Sequence, residues 1–154
     1  MNRDTIFSPD RLYRYTLWRQ WDERPFCMFI GLNPSTADET KDDPTIRRCI
    51  RFAKDWGYGA LCMTNIFAFR ATDPQVMRAQ FDPIGPDNDT YLNRIGSEAG
   101  IIIAAWGVHG AHHGRGKIVH NWFEDRLHHL GLTKDGQPKH PLYLKATSQP
   151  VAWK

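Results

Sequence analysis

Apolar and polar positions along the chain fall into short blocks of differing period. Tyr13 to Trp18 alternates apolar and polar residues, the pattern of a half-buried edge strand. Phe26 to Leu32 is a continuous apolar run that stops at Asn33-Pro34, as expected of a central parallel strand covered on both faces. From Thr45 to Trp56 the period changes. Ile46, Cys49, Ile50, Ala53 and Trp56 share one helical face, with Asp43-Pro44 at the entry and Gly57 and Gly59 beyond the end. Leu61 to Phe69 reads as a second buried strand and Asp82 to Asp89 as a turn-rich loop. Asp87 or Asn88 then caps a helix reaching Ala99. Ile101 to Trp106, stopped by Gly107, is the clearest strand. A helix around Lys117 to Asp125 and a short strand near Leu127 to Leu132 follow.

Strands alternating with helices predict an α/β domain of three layers, α/β/α, around a mainly parallel sheet of four to five strands. No repeat or linker divides residues 1–154, so one domain is expected, with 1–24 as an N-terminal edge strand and arm. Composition narrows the function. A net charge of +3 is too mild for a surface that coats nucleic acid, so any such contact is expected to be local. Cys27, Cys49 and Cys62 include no CxxC pair, which argues against a zinc ribbon or iron–sulfur cluster; no cofactor is expected. No segment approaches the run of about 20 apolar residues that spans a bilayer. The expectation is a soluble, cytoplasmic monomer that makes no membrane contact.

In parallel sheets ligands bind beyond the carboxyl ends of the strands. After the first buried strand comes Asn33-Pro34-Ser35-Thr36. The second runs through Thr64-Asn65 into Phe67-Ala68-Phe69-Arg70, the third into Trp106-Gly107-Val108-His109, and the tail holds Lys139-His140-Pro141. Amides that pair with an edge and rings that stack on a face suit a flat, uncharged heterocycle.

Gly31-Leu32-Asn33-Pro34-Ser35 resembles the first motif of the uracil-DNA glycosylase superfamily, in the form used by its mismatch-specific branch. Met63-Thr64-Asn65 with Phe69-Arg70, the strand end Ile103 to Gly110, and His140-Pro141-Leu142 resemble its later segments in order. The chain as a whole is similar to a bacterial and phage family catalogued as domain of unknown function 1643. Three blocks carry that likeness: Asn33 to Asp38, Asp42 to Cys49 and His140 to Leu144. The glycosylase resemblance implies hydrolysis of an N-glycosidic bond of a base in DNA or a nucleotide. It makes Asn33 and His140 catalytic, and Leu32, Asn65, Phe67 and Trp106 base-binding, with Tyr58 a further stacking candidate. Ser35, Thr36, Arg47, Arg70, His109 and Lys139 become phosphate or nucleic-acid contacts. Two departures stand out: Asn33 is followed by Pro-Ser, and His-Pro-Leu lacks the serine that clamps a DNA phosphate.

Two other readings stay open. One is a module that binds a modified base or nucleic acid without turnover. The other is a nucleotide phosphohydrolase whose Mg²⁺ is held by Asp38 and Asp43. His109, His112, His113 and His120 lie without a partnered cysteine or a His-Glu-x-x-His helix, and read as a solvated or phosphate-contacting loop.

Overall fold

A computed structural model describes residues 1–154. Seven strands form one mixed sheet: β1 (Asn2–Phe7), β2 (Arg14–Gln20), β3 (Phe26–Gly31), β4 (Ala60–Asn65), β5 (Ile101–Ala104), β6 (Leu127–His129) and β7 (Val151–Ala152). They lie in the order β1-β2-β4-β3-β5-β6-β7. The four central strands, β4-β3-β5-β6, are parallel; β1, β2 and β7 are added at the two sides through antiparallel pairing. The expected sheet of four to five mainly parallel strands is therefore the middle of a larger mixed one. Tyr13 to Trp18 is not an edge, because the polar strand β1 pairs along its outer side and β4 along its inner side.

Four helices complete the fold: α1 (Pro44–Asp55), α2 (Pro74–Arg78), α3 (Asn88–Glu98) and α4 (Arg115–Phe123). The continuous apolar runs of the central strands resolve into two faces, since successive side chains point oppositely. Cys27 and Phe29 of β3 with Leu61 and Met63 of β4 pack against Ile46, Cys49, Phe52 and Ala53 of α1. Met28, Ile30 and Cys62 pack on the other face against Met77 of α2, Leu92 and Ile95 of α3, and Val119 and Phe123 of α4. Three layers result. All three cysteines are buried and unpaired in this core, where burial pushes their thiols up and away from nucleophilic use.

The crossover through α1 steps from β3 to β4 on one side, and the next connection returns past β3 to β5 on the other. The loops after β3 and β5 consequently part in opposite directions and leave a crevice between them. No helix is long and apolar enough to cross a membrane.

Candidate functional site

That crevice opens into a cleft of about 650 Å³, within the range that holds a small organic ligand. Gly31 to Thr36 supply one wall and Ala105 to His109 the other. Asp43 to Ile46 close it at the start of α1, Asn65 lies at the end of β4, and His140 to Tyr143 lean in from the tail. Asn33, Asn65 and His140, distant in sequence, thus share one cleft with Leu32, Ser35, Thr36, Trp106 and His109.

The Asn33 side chain is held by its nitrogen. Nδ2 donates to the Ala71 carbonyl at 2.7 Å and to the Pro34 carbonyl at 3.2 Å. Both partners can only accept, so the amide cannot be turned over, and Oδ1 is left as an acceptor with no partner in the protein. Asn65 is the opposite case. It is only 2% exposed, yet its Nδ2 has no hydrogen-bond partner. An unpaired buried amide costs about 1–3 kcal/mol. Gly31 makes room for this side chain: a Cβ there would lie 2.8 Å from Asn65 Oδ1 and from Met63 Cε. The glycine answers a close approach, not an unusual backbone angle.

His140 caps a short 3-10 segment, Pro141–Tyr143, by accepting from Leu142 N at Nδ1, 3.2 Å away. Burial lowers its pKa below the ordinary histidine value, opposed in part by the negative charge of Asp43. Neutral, with Nδ1 accepting, the ring carries its proton on Nε2, which has no partner in the protein. Asn33 with its fixed acceptor, His140 with its unused donor and the buried amide of Asn65 all line the same space.

The aromatic candidates sort differently. Trp106 borders the cleft but is 1% exposed. Its Nε1 donates to Gln137 Oε1 at 2.9 Å, and Gly110 and Gly116 lie close against the indole. It serves as wall, without a free face for stacking. Phe67 is wholly buried in the core with its ring 5.6 Å from His112, held beside the end of β3 by its N–H bonding the Leu32 carbonyl. Tyr58 sits near Pro25 and Gly100, at the opposite ends of the strands. The ring with a free face is Tyr143, 84% exposed on the rim and 5.6 Å from the His140 ring.

The basic candidates scatter. Arg70 borders a smaller adjoining hollow of about 320 Å³ with Arg11, Ser35, Thr36 and Thr72. Arg47 is exposed on α1 and donates to the Asp42 carbonyl, while Lys139 is exposed outside the cleft. The cation the cleft does contain is Arg14, at the start of β2. It is 2% exposed, donates to the Ala37 carbonyl at 2.9 Å and leaves Nε unpartnered. Desolvation draws its pKa down to about 10, which still leaves it charged at neutral pH. In the sequence Arg14 is one polar position of an alternating strand, with nothing to mark it as buried.

The acidic stretch does not assemble a cation cage. Asp38 accepts from the backbone of Thr40 and Lys41, Asp42 pairs with Arg19 at 2.8 Å, and Asp43 caps α1 by accepting from Ile46 N at 2.9 Å. Each carboxylate already serves a separate loop or helix contact, and no three such donors converge. Of the stretch, only Asp43 borders the cleft.

No curated protein and no solved structure matches this chain. A family model described as a protein of unknown function (DUF1643) matches residues 14–142, the span that holds every cleft-lining residue except Tyr143. The match begins on Arg14 and takes in Asn33, Asn65 and His140, and on its extent the chain belongs to the DUF1643 family.

Proposed function

We propose that the cleft binds a nucleobase and that the protein hydrolyses the bond joining it to a sugar, in the manner of the uracil-DNA glycosylases its motifs resemble. The observation carrying this reading is the buried amide of Asn65, whose Nδ2 has no partner although it borders a cleft. A carbonyl on the edge of a planar base would complete it.

The surrounding groups suit the chemistry. When the glycosidic bond breaks, its electron pair leaves with the base and the sugar carbon becomes cationic. His140 Nε2–H is a donor for the negative charge developing on the departing base. Asn33 Oδ1 accepts from a water and aims its oxygen at the sugar carbon. That water loses its proton as the new C–O bond forms, and the base takes up a proton to leave neutral. A sugar cation is electrophilic enough that positioning the water counts for more than a strong base. The absence of the phosphate-clamping serine after Pro141, and the acidic run beside the cleft, favour a nucleotide or a single base over a long duplex.

The test is release of free base from oligonucleotides and mononucleotides carrying uracil, hypoxanthine or hydroxymethyluracil, followed as abasic-site or free-base formation. Product with one base and not the others supports the reading. Base-dependent binding with no product at long incubation replaces it with a non-catalytic base-binding module, and loss of turnover with chelator replaces it with metal-dependent hydrolysis.

A further inference from the structure

The molecule buries three arginines, and two are neutralised. Arg19 pairs with Asp42 at 2.8 Å and donates further to the Trp18 and Asp38 carbonyls. Arg115 pairs with Asp89 at 2.5 Å and donates to the Ile66 carbonyl. Arg14 is buried as deeply, forms no ion pair, and uses one hydrogen bond of the five its guanidinium can donate. The negative charge that acts on it most is Asp43, which lies beyond ion-pair distance and is tied to the cap of α1. Arg70 and Arg19 act on it in the opposite sense. A buried charge without a counter-ion is costly, and proteins keep one chiefly where something else supplies the partner. Arg14 borders the cleft, so a bound ligand can be that partner.

We propose that Arg14 is an anion-recognising residue of the cleft and that the ligand is a nucleoside monophosphate, its phosphate paired with the Arg14 guanidinium. This rests on the base-binding reading above and narrows its substrate class from DNA or nucleotide to a free nucleotide. A volume of about 650 Å³ accommodates more than a lone base. An arginine at 2% exposure faces a terminal phosphate inserted into the cleft more readily than the continuous backbone of a duplex lying across its mouth.

Calorimetric titration of the wild-type protein with nucleosides, their 5′-monophosphates and inorganic phosphate tests it, alongside Arg14→Met and Arg14→Lys. The monophosphate is expected to bind at least about tenfold more tightly than its nucleoside. Arg14→Met abolishes that ratio, Arg14→Lys retains part of it, and unliganded Arg14→Met melts no lower than wild type because an uncompensated charge has been removed. Equal affinity of nucleoside and monophosphate for the wild type overturns the proposal, and needs no variant to be folded. So does an Arg14→Met protein that melts lower and keeps the ratio, since the residue is then structural. Base-selective binding without phosphate preference sinks the anion site and leaves the glycosidic reading intact. Phosphate-dependent binding indifferent to the base does the reverse.

Discussion

The two ends of the parallel strands dispose of their polar groups differently. At the amino ends, Trp21 Nε1 donates to the Tyr58 carbonyl, the Asp22 carboxylate takes both the backbone and the guanidinium of Arg24, and Gly59 and Gly100 bond back to Pro25 and Phe26. At the carboxyl ends, Asn65 Nδ2 and Arg14 Nε are buried without partners, and Asn33 and His140 each present an unused atom to the cleft. One end is closed upon itself. The other holds buried polar groups that no protein partner satisfies, beside an open cleft. The same sheet thus closes one end with its own hydrogen bonds and leaves a cleft at the other.

The sharpest break in this contrast is expected at Asn33. Asn33→Ala removes the fixed acceptor, and base release should fall at least about a hundredfold with the fold retained, read by steady-state kinetics and circular dichroism. Unchanged turnover would remove Asn33 from the chemistry. Asn65→Leu comes next. Replacing an unpaired buried amide with an isosteric apolar group should leave the melting temperature equal or higher while base affinity drops about tenfold or more. A clear loss of stability would show that Asn65 is satisfied structurally after all.

At the closed end the outcome should invert. A Cβ at Gly59 would run into the Asp22 carboxylate and lie 2.7 Å from the Arg24 backbone. Gly59→Ala should therefore cost about 1–3 kcal/mol in denaturant unfolding, with ligand affinity of the folded protein unaltered. The smallest effect concerns pH. His140 titrates below its unfolded value because burial disfavours the cation. The unfolded chain then binds the proton first as pH falls. The contribution of the neutral ring is fully present above about pH 6.5, the ordinary histidine value, and is lost as pH drops through the depressed folded value. His140→Gln should flatten that acid limb slightly, measured by unfolding midpoints across pH; a steeper limb would contradict the sign.

Much of the frame was legible in the residues. Phe26 to Leu32 and Ile101 to Trp106 announce buried strands by unbroken hydrophobicity, and the face of α1 is written in Ile46, Cys49, Ile50 and Ala53. Asn2–Phe7 was not legible. It begins with Asn-Arg-Asp-Thr and is held by backbone pairing with β2, which leaves no hydrophobic trace. The second buried run ends as a strand at Asn65, four residues before Phe69: Ile66 still bonds the last residue of β3 and Phe67 the Leu32 carbonyl, but Ala68 and Phe69 turn to bond the Ile84 and Pro83 carbonyls. Phe67 itself is wholly buried in the core cluster and leaves no free face for stacking. The short helix α2 did have local signals, Asp73 as cap and Pro74 at its first position, but five residues carry no period to read.

What the chain determined by itself is the set of elements with strong local cause: apolar runs long enough to be core, and caps and glycines that start and stop helices. These depend on neighbours a few residues away, so sequence suffices. The three-dimensional fold alone decided which polar residues are left unsatisfied. Arg14, Arg19 and Arg115 are the same residue type in the sequence, yet two meet carboxylates and one meets a cleft. Whether a buried charge finds its partner depends on groups brought together from tens of residues away, and only tertiary packing brings them there.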